Sequence, residues 1–187
     1  MPFNHFDFLA PWYEKLIGRG EPRDWTPILE YTGAGRLLDA GGGTGRMSKQ
    51  LCRSHSFRQA VIADESWGML KQARQAGLDA VLCHSEHLPF RSAAFDRVIM
   101  VDALHHVAEQ RKTVVEMHRM LAHEGVVIIE EPDIEAVVIK VLAVLEKLAL
   151  MRSHFLSVEN IKKLLPAGVR HDVIRAGSTF WFRIFAD

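Results

Sequence analysis

Residues 37–46, with the sequence LLDAGGGTGR, contain four glycines within five positions, directly after an apolar run. Glycine loses more conformational entropy on folding than any other residue, so a cluster of it is unfavourable unless the backbone needs that freedom. The apolar residues before the cluster predict a buried strand, and Met47 and Leu51, spaced i, i+4, predict a helix after it. A glycine-rich turn between a strand and a helix is typical of sites where a ligand approaches the backbone closely.

Short apolar runs alternate with helical segments on both sides of this turn. The predicted strands cover residues 36–39, 60–63, 80–83, 95–101 and 125–129, and the predicted helices cover 44–53, 66–77 and 109–122. Such alternation is typical of βαβ units in a parallel sheet covered on both faces. Ser66 is the expected N-cap of the second of these helices, which ends at Gly77. Residues 170–175 and 179–185, separated by Ala-Gly-Ser, predict a hairpin. The sequence therefore predicts an α/β fold: a doubly wound, mostly parallel seven-stranded sheet with an antiparallel last strand.

The chain of 187 residues is long enough for one well-packed domain and short for two. Residues 1–32 are rich in aromatic residues and proline, and we expect them to form a helical N-terminal cap or lid. Residues 33–187 are expected to form the ligand-binding core of the same single domain. Within that core, residues 134–151 predict a long helix and residues 158–165 a short one.

The composition excludes several functional classes. Lysine plus arginine and aspartate plus glutamate both number 23, so no basic field attracts nucleic acid. No apolar stretch approaches the roughly 20 residues of a membrane span, and the N-terminus lacks a signal-peptide pattern. Cys52 and Cys83 are too few for a disulfide framework or a cysteine zinc site. We expect a cytoplasmic protein without a metal site, and no pattern specifies its oligomeric state.

Two cofactor patterns compete for the glycine turn. The dinucleotide pattern G-x-G-x-x-G/A fails in both registers, because Arg46 or Ser48 occupies its last position. The pattern that is present is D-x-G-x-G-x-G, which resembles motif I of the class I S-adenosylmethionine-dependent methyltransferases. Its residues here are Asp39, Gly41, Gly43 and Gly45.

Further motifs extend this resemblance over residues 36–131. The second predicted strand ends in an acid, Asp64, within the run DESWGMLKQAR, which is similar to the family's D-x-S-x-x-M-L-x-x-A-R. The type 11 branch of the family resembles the runs EHLPF, FDRVIMVDALHHV and EMHRMLAHEGVVIIEEPD. The opening FDFLAPWYEKL is similar to the start of ubiquinone and menaquinone C-methyltransferases.

The resemblance implies a Rossmann-like fold that binds S-adenosylmethionine and releases S-adenosylhomocysteine. The glycine loop and its preceding acid would receive the methionine end, and Asp64 would bind both ribose hydroxyls. The residue after that acid, often apolar and packed on the adenine, is Glu65 here. His84 occupies the position of the family's adenine-binding aspartate, and a neutral imidazole nitrogen accepts the same hydrogen bond. Ser85 follows it in the same expected subsite.

The implied reaction is methyl transfer to a small-molecule acceptor. The methyl of a sulfonium is already electrophilic, so a general base is needed only where the acceptor loses a proton. The candidate bases are, in order, His106, His105, Asp102 and Glu131; packing, capping or a polar loop are the alternative roles of these residues. Three other functions stay open: quinone-precursor C-methylation, a catalytically idle cofactor-binding protein acting as sensor or partner, and a nucleotide-dependent oxidoreductase.

Overall fold

Strands and helices alternate in the computed structural model, which describes residues 24–31, 33–134 and 154–186. The strands are β1 (Arg36–Ala40), β2 (Gln59–Asp64), β3 (Asp79–Leu82), β4 (Phe95–Val101), β5 (Leu121–Pro132), β6 (His171–Ala176) and β7 (Thr179–Phe185). The helices are α1 (Thr26–Leu29), α2 (Arg46–Ser54), α3 (Trp67–Gln75), α4 (Gln110–Arg119) and α5 (Val158–Leu164), with a 3₁₀ turn at Leu104–His106. Within these ranges, no helix has the length and apolar character to cross a membrane.

The seven strands form one sheet in the order β3-β2-β1-β4-β5-β7-β6. Neighbouring strands from β3 to β5 are parallel, whereas β7 runs antiparallel to both β5 and β6. The predicted doubly wound sheet with an antiparallel last strand is therefore confirmed. The order reverses between β1 and β4, and ligands of such sheets bind outside the carboxyl ends of the strands at this point.

Apolar side chains cover both faces of the sheet. Leu38 and Met100 lie in the largest core cluster of the described residues, while Leu37 and Ile99, their neighbours along β1 and β4, lie in a second cluster. Successive side chains of a strand point to opposite faces, so uninterrupted apolar strands bury both faces. This arrangement leaves the strand ends as the place for polar functional groups.

Two local predictions had different outcomes. Ser66 caps α3 as expected, because its hydroxyl oxygen accepts the Met69 N–H at 3.2 Å. The predicted end of the following helix at residue 122 is wrong, since α4 ends at Arg119 and β5 begins at Leu121. Leu121 pairs with Phe95 at the start of β4, so sheet pairing overrides the helical pattern there.

Several expectations lie outside the described residues. These are most of the N-terminal cap, at residues 1–23 and 32, and the long helix beyond residue 134. The described part of the cap contains α1, whose Ile28 and Leu29 are buried with Trp25 in the second core cluster, that of Leu37 and Ile99. The lid function and the single-domain organisation stay predictions.

Arg97 fastens this N-terminal segment to the sheet. Its guanidinium donates hydrogen bonds to the carbonyl oxygens of Leu29 at 2.9 Å and Glu30 at 3.0 Å. It also donates to the carbonyls of Asp96 and Glu124, at 2.7 and 3.3 Å. Arg97 is buried, and its one side chain satisfies four backbone acceptors, of which the Leu29 carbonyl accepts in a buried bond.

We predict that Arg97→Met lowers the free energy of unfolding by about 2–4 kcal/mol, because the methionine keeps the apolar stem and leaves these carbonyls unpaired. Urea denaturation measures the loss. The control is Arg91→Met at an exposed position, which should change stability by less than about 0.5 kcal/mol. Equal midpoints for the two variants would contradict the anchoring role.

Candidate functional site

The glycine-rich loop joins β1 to α2 where the strand order reverses. Gly41, Gly43 and Gly45 have φ angles of 70°, 54° and 73°, which side-chain-bearing residues rarely adopt. A Cβ on Gly41 would lie 2.9 Å from the Ala103 Cβ, and one on Gly45 would overlap with Leu78. The spaced glycines therefore serve both the loop conformation and its close packing.

Asp39 lies buried beneath this loop. Its Oδ2 accepts the Ser48 hydroxyl at 2.7 Å, and a Cβ on Gly42 would collide with its carboxylate. Burial, with the negative charge of Asp64 as a further cause, raises the pKa of Asp39 to about 7. Asp39 also lines a cleft, whose other lining residues are Gly41, Gly42, Gly43, Thr44, Arg46, Met47 and Val101. The cleft thus offers a carboxylate whose charge responds to a nearby cation.

Asp64 connects the loop to the end of β2. Its Oδ2 accepts the Gly43 N–H at 2.9 Å, and its Oδ1 accepts the Ser66 N–H at 2.8 Å. A carboxylate has about four acceptor positions, and these two bonds fix the orientation of the group. Asp64 is half-buried, which suits a group that meets a ligand from one side.

Glu65 and His84 meet beyond Asp64. His84 Nδ1 lies 3.0 Å from Glu65 Oε2, and both side chains are largely exposed. Ser85 begins the turn after β3 that the hydrogen bond from His87 N–H to the His84 carbonyl closes at 3.0 Å. All three residues of the expected adenine subsite therefore lie at the β2–β3 end of the sheet.

His105 and Glu131 form a buried pair at the ends of β4 and β5. His105 Nδ1 lies 2.5 Å from Glu131 Oε2, and Glu131 Oε1 accepts the Leu104 N–H at 2.8 Å. The Phe155 ring stacks on the His105 ring at 4.4 Å between centroids. Glu131 therefore bonds a backbone N–H with one oxygen and the His105 ring with the other. Because an ionised carboxylate only accepts hydrogen bonds, this arrangement favours the Nδ1–H tautomer and one ring orientation.

The remaining candidate bases have other surroundings. The His106 ring packs 4.0 Å from the His105 ring, and burial, with His105 as a second cause, lowers the pKa of His106 to about 3. Asp102 is exposed, adopts a φ of 51°, and continues the β4–β5 pairing through its N–H. Glu130, the neighbour of Glu131 in β5 and not itself a candidate base, accepts the Trp181 indole N–H at 2.7 Å and so stabilises the β5–β7 contact.

Sequence reasoning missed two contributors to the site. Ser48 was identifiable as a small polar residue on the otherwise apolar face formed by Met47 and Leu51, three positions after the last loop glycine. Phe155 carried no signal, because it contacts His105 across 50 positions of chain. Only the fold brings these side chains together.

Comparison with known proteins gives one family. Residues 38–129 match the model of the methyltransferase domain family. The human probable tRNA methyltransferase 9B is 28% identical over 125 residues, which cover 65% of this chain and 27% of that protein. The ubiquinone/menaquinone biosynthesis C-methyltransferase UbiE of Desulfotalea psychrophila is 28% identical over 131 residues, 64% of this chain and 53% of that protein. The match thus spans about a quarter to a half of these relatives.

The fold has matches among solved structures. One is a chain from the complex between the Haloferax volcanii Trm112 methyltransferase activator and a methyltransferase, with a TM-score of 0.80. The alignment covers 100% of this chain and 99% of that one at 15% identity. At this identity the likeness establishes the fold.

We predict that Asp39 makes the unliganded protein less stable as the pH rises. Its folded pKa of about 7 exceeds the ordinary 3.8, so the folded state binds the proton more tightly, and stability falls between about pH 4 and 7. Asp39→Asn removes this dependence. The difference in free energy of unfolding between Asp39→Asn and wild type should grow in favour of the variant by up to about 4 kcal/mol from about pH 4 to pH 7, and should stay constant above pH 7. Urea denaturation at several pH values measures this; a difference that is constant with pH would contradict it.

Proposed function

Through residues 38–129 the chain belongs to the class I S-adenosylmethionine-dependent methyltransferases, and we propose that it methylates a small-molecule acceptor by in-line displacement. The observation that carries this proposal is the hydrogen bond from the Gly43 N–H to Asp64. It connects a glycine loop with open space beside its backbone to a carboxylate in a fixed orientation. When bound, S-adenosylmethionine supplies an electrophilic methyl group. The protein's own task is to bind, align and exclude water.

The residues of the cleft fit the parts of this cofactor. Among the described residues other than its chain neighbours, Gly43 would bring an added Cβ within 4.0 Å of the Met69 Sδ alone, so the loop has room for the methionine end. Asp39 lines the same cleft and would pair with the ammonium group. Asp64, at the end of β2 beside the loop, would accept both ribose hydroxyls at the strength of charge-assisted bonds.

His105 is the base that the geometry favours for acceptors that lose a proton. Its Nδ1–H is held by Glu131, so its Nε2 is the nitrogen that would take a proton, and Glu131 would stabilise the resulting imidazolium. His106, first in the sequence-based order, is a weak base at neutral pH because its pKa is lowered to about 3. Phe155 covers the His105 ring, so we expect it to move aside when an acceptor enters.

A small molecule is the acceptor class that the charge balance supports. Equal numbers of acidic and basic residues give no field that would draw in a polyanion. The named relatives act on quinone precursors or tRNA, and a quinone-like carbon acid also loses a proton during methylation. A catalytically idle cofactor-binding protein is the second candidate, because a buried histidine–glutamate pair is equally suited to holding residues 154–157 in place.

Calorimetry tests the cofactor assignment. We predict that S-adenosylmethionine and S-adenosylhomocysteine bind and that NADH does not. Asp64→Asn should weaken both adenosyl ligands by at least about tenfold, since it loses charge-assisted hydrogen bonds. The control Asp79→Asn neutralises an exposed acid at the opposite end of the sheet and should bind like wild type. Tight NADH binding, or unchanged affinity in Asp64→Asn, would refute the assignment.

Methyl transfer from labelled cofactor tests the base. Across a panel of phenols, carbon acids, amines, thiols and bulk tRNA, we predict turnover with a proton-losing small molecule. His105→Ala should lower that turnover by about 10²–10⁴-fold and leave the Kd of S-adenosylhomocysteine unchanged. Glu131→Gln should shift the pH–rate profile, which a purely structural role would not do.

Two results would argue against this mechanism. Full activity in His105→Ala would show that His105 is not the general base. Cofactor binding without turnover of any acceptor would favour the catalytically idle cofactor-binding protein. Turnover of tRNA alone would move the acceptor to the nucleic-acid class.

A further inference from the structure

We propose that Glu65 and His84 together read the base of the cofactor: Glu65 fixes the tautomer of His84, and this tautomer selects adenine over hypoxanthine. The inference rests on the function proposed above. It concerns the two positions where this chain departs from its family's usual residues, and the structure brings those two side chains into contact at 3.0 Å.

The pair lies where a bound adenine would lie. Asp64 and Leu82 are partners at the ends of β2 and β3, and the Cys83 N–H donates to the Asp64 carbonyl at 3.0 Å. Glu65 follows Asp64 directly, and His84 follows Cys83. Strand β3 lies on the side of β2 away from β1. A ligand with its methionine end in the glycine loop and its ribose on Asp64 therefore directs its base toward this pair.

The chemistry of the contact defines the base. An ionised carboxylate only accepts hydrogen bonds, so Nδ1 is the donor in its contact with Glu65, and in the neutral ring Nε2 is then an acceptor. The exocyclic amino group of adenine donates to such a nitrogen. Hypoxanthine has a carbonyl oxygen at the same position, whose lone pairs would face the lone pair of Nε2. With the opposite tautomer this preference would be reversed.

Fold stability does not explain the pair. The side chains of His84 and Glu65 are 71% and 52% exposed, and ion pairs with this exposure contribute little to folding. Either residue can therefore be replaced without loss of the fold, and the variants report on recognition alone.

The test compares S-adenosylhomocysteine with its deaminated analogue, S-inosylhomocysteine, by calorimetry. Wild type should bind the adenosyl ligand about tenfold more tightly than the inosyl ligand. This factor corresponds to one hydrogen bond that adenine makes with Nε2 and that hypoxanthine replaces with opposed lone pairs. Glu65→Ala and His84→Ala should both reduce the preference to within about threefold. The control Asp79→Ala, at an exposed acid outside the site, should keep the wild-type preference.

Nitrogen-15 spectra of the histidine rings give a readout independent of ligand. His84, assigned by the signals missing in His84→Ala, should carry its proton on Nδ1 in wild type and mainly on Nε2 in Glu65→Ala. If wild type binds the adenosyl ligand and Glu65→Ala keeps both the preference and the Nδ1 proton, the inference is overturned and the proposed function stands. If wild type binds neither nucleoside ligand, the proposed function fails and this inference fails with it.

Discussion

The hydrogen bond from the Gly43 N–H to Asp64 Oδ2, 2.9 Å long, is the constraint on which the candidate site depends. It fixes a loop of positive-φ glycines against the end of the neighbouring strand. The same carboxylate accepts the Ser66 N–H, and Ser66 caps α3. Loop, strand end and helix start are thus oriented by one side chain, and a ligand bound there would meet groups that are already in position.

The proposed chemistry lies on the other side of the same loop. A Cβ on Gly41 would lie 2.9 Å from the Ala103 Cβ, so the glycine loop passes close to the chain two residues before His105. The sheet order explains the division: β1, β2 and β3 end in groups suited to binding a nucleoside, while β4 and β5 end in groups suited to proton transfer. Leu104 N–H and His105 Nδ1 occupy both oxygens of Glu131, which makes this pair rigid.

Sequence patterns predicted the strands and the Ser66 cap well, because burial on both faces and capping chemistry are local signals. They failed at the end of α4, where pairing between Leu121 and Phe95 outweighs helical periodicity. His105 and Glu131 were both candidates, yet their contact depends on strand register over 26 positions of chain. The raised pKa of Asp39 could not be predicted from the sequence either, because it follows from burial and from the neighbouring charge of Asp64.

The crystal structure of the complex with S-adenosylhomocysteine tests the central claim most directly. We predict that both ribose hydroxyl oxygens lie within about 3.2 Å of the Asp64 carboxylate, while that carboxylate keeps its bonds to the Gly43 and Ser66 N–H groups. The methionine end of the ligand should lie along residues 41–43. A ligand bound elsewhere, or ribose hydroxyls without contact to Asp64, would contradict the account.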